Sequence, residues 1–279
     1  MTPEALRASV LRLAEDPAPD PAEARAVVEA LLSALEAGEV RAALPRDGGW
    51  QVQPWVKRGI LLAFRVGTNV DVPAGPVFHF RDRDTLPTWD PRASGRNVRL
   101  VPGGTTIRRG AHLGDGVVVM PPAYVNVGAF VGARTLVDSH ALVGSCAQVG
   151  TGVHLSAAAQ VGGVLEPVGA SPVIVEDDVF IGGSCGVYEG TRVRARAVLA
   201  AGVVLTRSVA VVDLVRERVL RAGAGEVLEI PEGAVVVPGA RPAAGSFARA
   251  QGVLVQTPLI VKYRDAGTEA AAALEEALR

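Results

Sequence analysis

Residues 113–161 read LGDGVVVMPPAYVNVGAFVGARTLVDSHALVGSCAQVGTGVHLSAAAQV, and the aliphatic residues in this stretch recur every six positions. Val101, Ile107, Leu113, Val119, Val125, Val131, Val137, Val143, Val149, Leu155 and Val161 all fall on that spacing. With hydrophobic residues at 49% of the chain, eleven successive hits arise by chance roughly once in two thousand trials. Four places after each aliphatic sits a small or β-branched residue, such as Ala111, Val117, Ala129, Thr135 or Ala147. Glycine often follows the aliphatic directly, as at Gly114, Gly132, Gly144 and Gly150. A six-residue period fits neither a helix face nor an alternating strand. It fits a short strand plus a tight corner, three of which close a triangular coil stacked about 4.8 Å above the one before. The aliphatic then points into the prism, small residues fill the crowded interior, and glycine eases the corner.

The period continues through Val175, Ile181, Val187, Val193, Leu199, Leu205 and Val211 after a two-residue slip around Pro167–Pro172. Beyond Val211 it fails. The run DLVRERVLRAGAGEVLEI predicts a hairpin inserted after the last coil, turning at Ala222–Gly225; EGAVVVPG and GVLVQTPLIVKY predict strands, and Ala266–Arg279 a short helix. Upstream, Pro3–Glu15 and Pro21–Ala37 repeat apolar residues at three and four, with Thr2 and Asp20 placed to cap them. A turn at Asp47-Gly48-Gly49 precedes a third helix in QVQPWVKRGILLAFRV, and 71–97 is expected to be a linker with short strands. The expected division is a helical, substrate-covering domain at 1–98, a β-helix at 99–212, and a hairpin with C-terminal strands and helix at 213–279.

Composition narrows the function. A net charge of -1 lacks the basic excess of a nucleic-acid binder. Two cysteines, Cys146 and Cys185, make no disulfide framework. No stretch is long and apolar enough for a membrane span, and the N-terminus lacks a leader pattern, so a cytoplasmic protein is expected. A metal site is not expected either. A zinc-dependent use of such a coil needs clustered histidines, and His79, His112, His140 and His154 are scattered.

The six-residue signature resembles the hexapeptide-repeat class, whose β-helices are left-handed although parallel crossovers are generally right-handed. The expected fold is therefore mainly β, a left-handed parallel β-helix with a helical N-terminal domain and a C-terminal extension. Flat prism faces predict a homotrimer. Within the coil, YVNVGAFV (124–131), LVDSHALVGSCAQVG (136–150), VHLS (153–156) and GGVLEP (162–167) resemble the tetrahydrodipicolinate N-succinyltransferase family. PVIVEDDVFIG (172–182), VYEG (187–190), WVKRGILLAFR (55–65) and AVVVPG (234–239) extend the resemblance to all three regions. It implies transfer of a succinyl group from succinyl-CoA, as co-substrate and not as a resident cofactor, to ring-opened tetrahydrodipicolinate. An acetyl-CoA-dependent enzyme and a non-catalytic scaffold are the alternatives.

That reaction needs a proton acceptor for the amine and donors for the oxyanion. Asp138 stands where the resemblance places a substrate-binding Asp, although Asp also favours turns. Glu189 is the second candidate base. The coil count sets Val187 eight hexads after Val137, nearly three coils or roughly 13 Å along the axis, so both carboxylates serve one amine only in a cleft between subunits. Arg99 matches the family's substrate-contacting arginine, while Arg108 and Arg109 are weaker candidates. For CoA, Ser156 and Gly183 are candidate pantetheine or thioester contacts, and Arg207, with Arg192, Arg194 and Arg196, a candidate phosphate ligand. Cys146 and Cys185 lack an activating base and are not expected to act as nucleophiles.

Overall fold

The computed structural model describes residues 1–265, and the expected helix at 266–279 lies outside the described residues. Three helices open the chain, α1 (Pro3–Glu15), α2 (Pro21–Ala37) and α3 (Pro54–Val66). Their starts follow from the caps: Thr2 Oγ1 accepts from the Ala5 N–H at 3.3 Å and Asp20 Oδ1 from the Glu23 N–H at 2.8 Å. Each has proline in its first turn, where the missing N–H costs nothing. Gly38 stops α2 at φ 80°, and a Cβ there would lie 2.8 Å from the His112 ring, so both the left-handed turn and the close approach demand glycine.

From Arg99 the chain winds into a prism of three parallel sheets. Face one carries Arg99–Leu100, Val118–Val119, Leu136–Val137, His154–Leu155, Phe180–Ile181 and Val198–Leu199. Face two carries Thr106–Ile107, Tyr124–Val125, Leu142–Val143, Gln160–Val161, Gly186–Val187 and Val204–Leu205. Face three carries His112–Leu113, Phe130–Val131, Gln148–Val149, Ile174–Val175 and Arg192–Val193. The second residue of each pair points inward, and all but Leu100 are buried; with Ala111, Val117, Ala129, Ala147 and their equivalents they form one continuous core. Each such aliphatic contributes about 1.5–3 kcal/mol by leaving water. Trp89 closes the foot of the prism, its N–H donating to the Ile107 carbonyl at 2.8 Å.

Four expectations need correction. Leu100, not Val101, is the inward residue of the first coil, because it pairs with Val119; the extra residue before Ile107 is absorbed around Gly103-Gly104. The irregularity after Val161 is no slipped hexad: Val161 ends a strand of face two and Val175 one of face three, the next face, so 162–172 is one enlarged corner. The coil also does not end at Val211. Val211–Asp213 forms a hairpin with Arg218–Leu220, after which Glu229–Ile230 pairs with Arg192–Val193 on face three and Val235–Val236 with Val198–Leu199 on face one. The prism therefore reaches Val237, and 206–228 is an excursion within it. That hairpin turns at 214–217 and not at Ala222–Gly225, because Asp213 Oδ1 accepts the Arg216 N–H at 3.1 Å and Glu217 takes φ 51°.

The N-terminal helices pack on the edge between faces two and three, burying Val127 and Cys146 in a second core with Leu31, Trp55 and Ile60. Face three is gripped as well: the Arg41 guanidinium lies 3.6 Å from the Phe130 ring centroid, and Phe130 stacks on His112 at 4.4 Å. At the start of 71–97, expected as a linker with short strands, Asn69–Ala74 forms a hairpin with Phe78–Arg83. After face one closes, Leu259–Tyr263 returns antiparallel to Ala234–Val237.

Candidate active site

Where a hexad corner lies decides which side chains can meet. Asp138, Ser156 and Gly182-Gly183 each follow a face-one strand, so they share the edge between faces one and two. The pairings Val137 with Leu155 and Leu155 with Ile181 stack them as a column, one coil apart. The Asp138 N–H donates to the Leu155 carbonyl at 2.9 Å, and the Ser156 N–H to the Ile181 carbonyl at 2.9 Å. Asp138 is half-buried, and its Oδ1 accepts the Ser139 N–H at 2.6 Å. Among the described residues its other oxygen has no partner. Arg99 stands exposed at the foot of face one, two coils below Leu136, and its guanidinium meets no acceptor among the described residues.

Glu189 and Arg207 belong to the other edge, between faces two and three. Glu189 turns its corner at φ 54°, and its Oε2 accepts the Arg207 N–H at 2.9 Å. Both line a cavity of about 900 Å³ between the enlarged corner and the excursion, with Glu166, Ala170, Tyr188 and Val227 among its walls. The Arg207 guanidinium is exposed and unpartnered among the described residues. Tyr188 packs closely against Gly162 and Gly186, where a Cβ would come within 2.7 and 2.4 Å of its ring. The glycine of GGVLEP therefore serves this ring.

Seven strand steps, not eight, separate Leu136–Val137 from Gly186–Val187. The two carboxylates are thus about 11 Å apart along the axis at 4.8 Å per coil, and they project from different edges. The structure brings Asp138, Ser156 and Gly183 together, and Glu189 with Arg207, but does not join the two groups within one chain.

Several other arginines are committed elsewhere. Arg192 and Arg194 reach Glu229 at 3.0 and 2.8 Å, Arg194 also reaches Glu176 at 3.2 Å, and Arg196 has a partner of its own. Arg108 holds Asp82 at 2.6 Å, and Arg109 holds Glu29 at 2.6 Å and Glu36 at 2.9 Å. Cys146 is fully buried, and burial pushes its thiol up to about 12; Cys185 donates to the Ala200 carbonyl at 3.0 Å and is pushed up by burial too. Neither thiol is poised to ionise. Lys57 escaped the sequence reading. It is fully buried in α3, and the one signal was a lysine on that helix's apolar stripe, three residues before Ile60.

Residues 12–66 match the model of the tetrahydrodipicolinate N-succinyltransferase N-terminal domain, and residues 172–207 that of the hexapeptide repeat of succinyl-transferase. The 2,3,4,5-tetrahydropyridine-2,6-dicarboxylate N-succinyltransferase of Polynucleobacter asymbioticus is 42% identical over 93% of this chain and 91% of its own. That of Azoarcus sp. is 41% identical over 96% of this chain and 94% of its own. The chain belongs to the tetrahydrodipicolinate N-succinyltransferase family. A hexapeptide transferase family protein from Anaplasma phagocytophilum aligns at TM-score 0.42 and 15% identity, over 65% of this chain and 87% of that one. Membership accounts for the joint presence of the helical domain and the coil, since the matched models cover part of each. Among the described residues no helix is long and apolar enough to cross a membrane.

Proposed function

We propose that this family member transfers the succinyl group of succinyl-CoA to the amine of ring-opened, hydrated tetrahydrodipicolinate, giving N-succinyl-2-amino-6-oxopimelate and CoA. The observation that carries this reading is likeness at 41–42% identity along nearly the whole chain to enzymes named for that reaction. The amine nitrogen attacks the thioester carbonyl, a C–N bond forms, and the oxyanion collapses with loss of the CoA thiolate. The ammonium proton passes to a carboxylate, and the thiolate takes a proton from solvent. Asp138 is the proposed acceptor because one of its oxygens has no partner among the described residues. Ser156 and Gly183, above it on the same edge, line the proposed path of the pantetheine arm. Arg99 is proposed to pair with a carboxylate of the acceptor, and Arg207 to bind an anionic group of the thioester substrate.

Glu189 acts beside Asp138 only if the one–two edge of one subunit faces the two–three edge of the next. The proposed assembly is therefore a homotrimer with a cleft at each interface. Incubation with tetrahydrodipicolinate and either succinyl-CoA or acetyl-CoA, followed by thiol release, tests the reaction. Acceptor-dependent release from succinyl-CoA is expected. Release from acetyl-CoA alone would overturn the acyl preference, and no release from either would overturn the reading. Sedimentation showing a fully active monomer would rule out the shared cleft.

A further inference from the structure

The enlarged corner at 162–172 walls the cavity of Glu189 and Arg207, yet it has few ties of its own. The Gly162 N–H reaches the Val187 carbonyl at 2.8 Å and the Val164 N–H the Ser145 carbonyl at 3.2 Å, the Ala170 N–H turns back to the Pro167 carbonyl at 2.9 Å, and Val164 leans on the coil core and Leu165 on the N-terminal core. A hydrogen bond from α3 adds to these: the Lys57 Nζ donates to the Ala170 carbonyl at 2.7 Å. Lys57 is wholly buried, with the Cys146 thiol among its neighbours. Burying an ammonium is costly, and an apolar side chain of the same length would pack there without that cost. Burial indeed pushes the Lys57 ammonium down. A charge kept in such a place against its own solvation needs a use. Its position shows one, because it is directed at the enlarged corner, a wall of the cavity that the hexad repeat does not build.

We propose that Lys57 is a positioning residue: from α3 it holds the 162–172 corner by the Ala170 carbonyl, and so sets the shape of the cavity that receives the thioester substrate. The kinetic half rests on the succinyl-transfer reading; the structural half does not. Lys57 touches no reacting atom. It links the N-terminal helices to the site, so loosening it should disturb the corner and leave the helices themselves intact.

Lys57→Met, which keeps length and removes the charge and donor, and Lys57→Gln, which keeps a shorter donor, are compared with the wild-type protein. Hydrogen exchange without substrate is followed for the amides of 162–171 and of α1–α3. Exchange in the corner should accelerate tenfold or more in Lys57→Met, with α1–α3 changed less than twofold; Lys57→Gln should fall between. In the thiol-release assay the KM for succinyl-CoA should rise at least fivefold while kcat falls less than threefold. Unchanged corner exchange in both variants would overturn the proposal, and so would acceleration spread evenly over α1–α3, which marks a general loss of stability. If the wild-type protein releases no thiol, the functional reading fails and the exchange result still decides the tie. If the wild-type protein is active and Lys57→Met keeps its KM, the corner does not shape the thioester site.

Discussion

Replacing Val143 by Asp tests the coil register more sharply than any surface change. Val143 is fully buried and stacks between Val125 and Val161 on the inner side of face two. Losing its apolar burial costs about 1.5 kcal/mol or more. A carboxyl group with no hydrogen-bond partner adds about 1–3 kcal/mol. Inside the prism it must also stay protonated, which at pH 7 against an ordinary value near 3.9 adds about 4 kcal/mol. The total of about 7–9 kcal/mol rivals the whole stability of a typical domain, about 5–15 kcal/mol. The last contribution depends on pH in a known direction. The folded-state pKa of this Asp lies above its unfolded value, so the unfolded chain releases the proton as pH rises and the variant loses stability. At pH 4 that penalty is nearly gone, and about 4 kcal/mol should return relative to wild type. Urea unfolding followed by circular dichroism at pH 7 and pH 4 measures both effects. Val143→Ala, costing about 1.6 kcal/mol at 0.8 per buried carbon, should show no such dependence. A Val143→Asp protein that unfolds cooperatively at pH 7 near the wild-type midpoint would refute the inward assignment of this hexad.

Other outcomes follow from the site and its surroundings. Asp138→Asn keeps shape and most hydrogen bonds but removes the proton acceptor, so kcat/KM should fall at least ~10²-fold with CoA affinity unchanged; a wild-type rate would make Asp138 a turn residue and move the base to Glu189. Arg99→Ala should raise the KM for the dicarboxylate more than it lowers kcat, since an ion pair to the acceptor acts in the ground state as well; an unchanged KM removes Arg99 from the site. Burial on face three holds His112 down to about 4, below the unfolded value near 6.5. Stability from its neutral form is therefore complete above that unfolded value and lost as pH falls toward 4. His112→Phe, which keeps a ring on Phe130, should flatten this part of the pH–stability curve, and an identical slope would exclude His112 as its source.

Much of the architecture is local, and the sequence by itself determines it. Thr2, Pro3, Asp20 and Pro21 mark the starts of α1 and α2 because capping involves only neighbours in the chain. The hexads from Ile107 to Val161 and from Val175 to Leu205 are equally legible, because each strand and corner repeats the same short-range demand for an inward aliphatic. The motifs that point to Asp138, Glu189 and Arg99 lie within or beside that repeat. Only the tertiary structure decided the rest. Whether Leu100 or Val101 faces inward depends on pairing with Val119, a whole coil away. The return of the coil at Glu229–Ile230 and Ala234–Val237 follows an excursion whose length no period predicts. Free and committed arginines look alike in the sequence, since Arg108, Arg109 and Arg194 find their acids on distant segments. Lys57 reads as a misplaced charge until the corner at Ala170 comes to meet it. Periodicity records which way a residue points relative to its neighbours in the chain; what it points at depends on how distant segments pack.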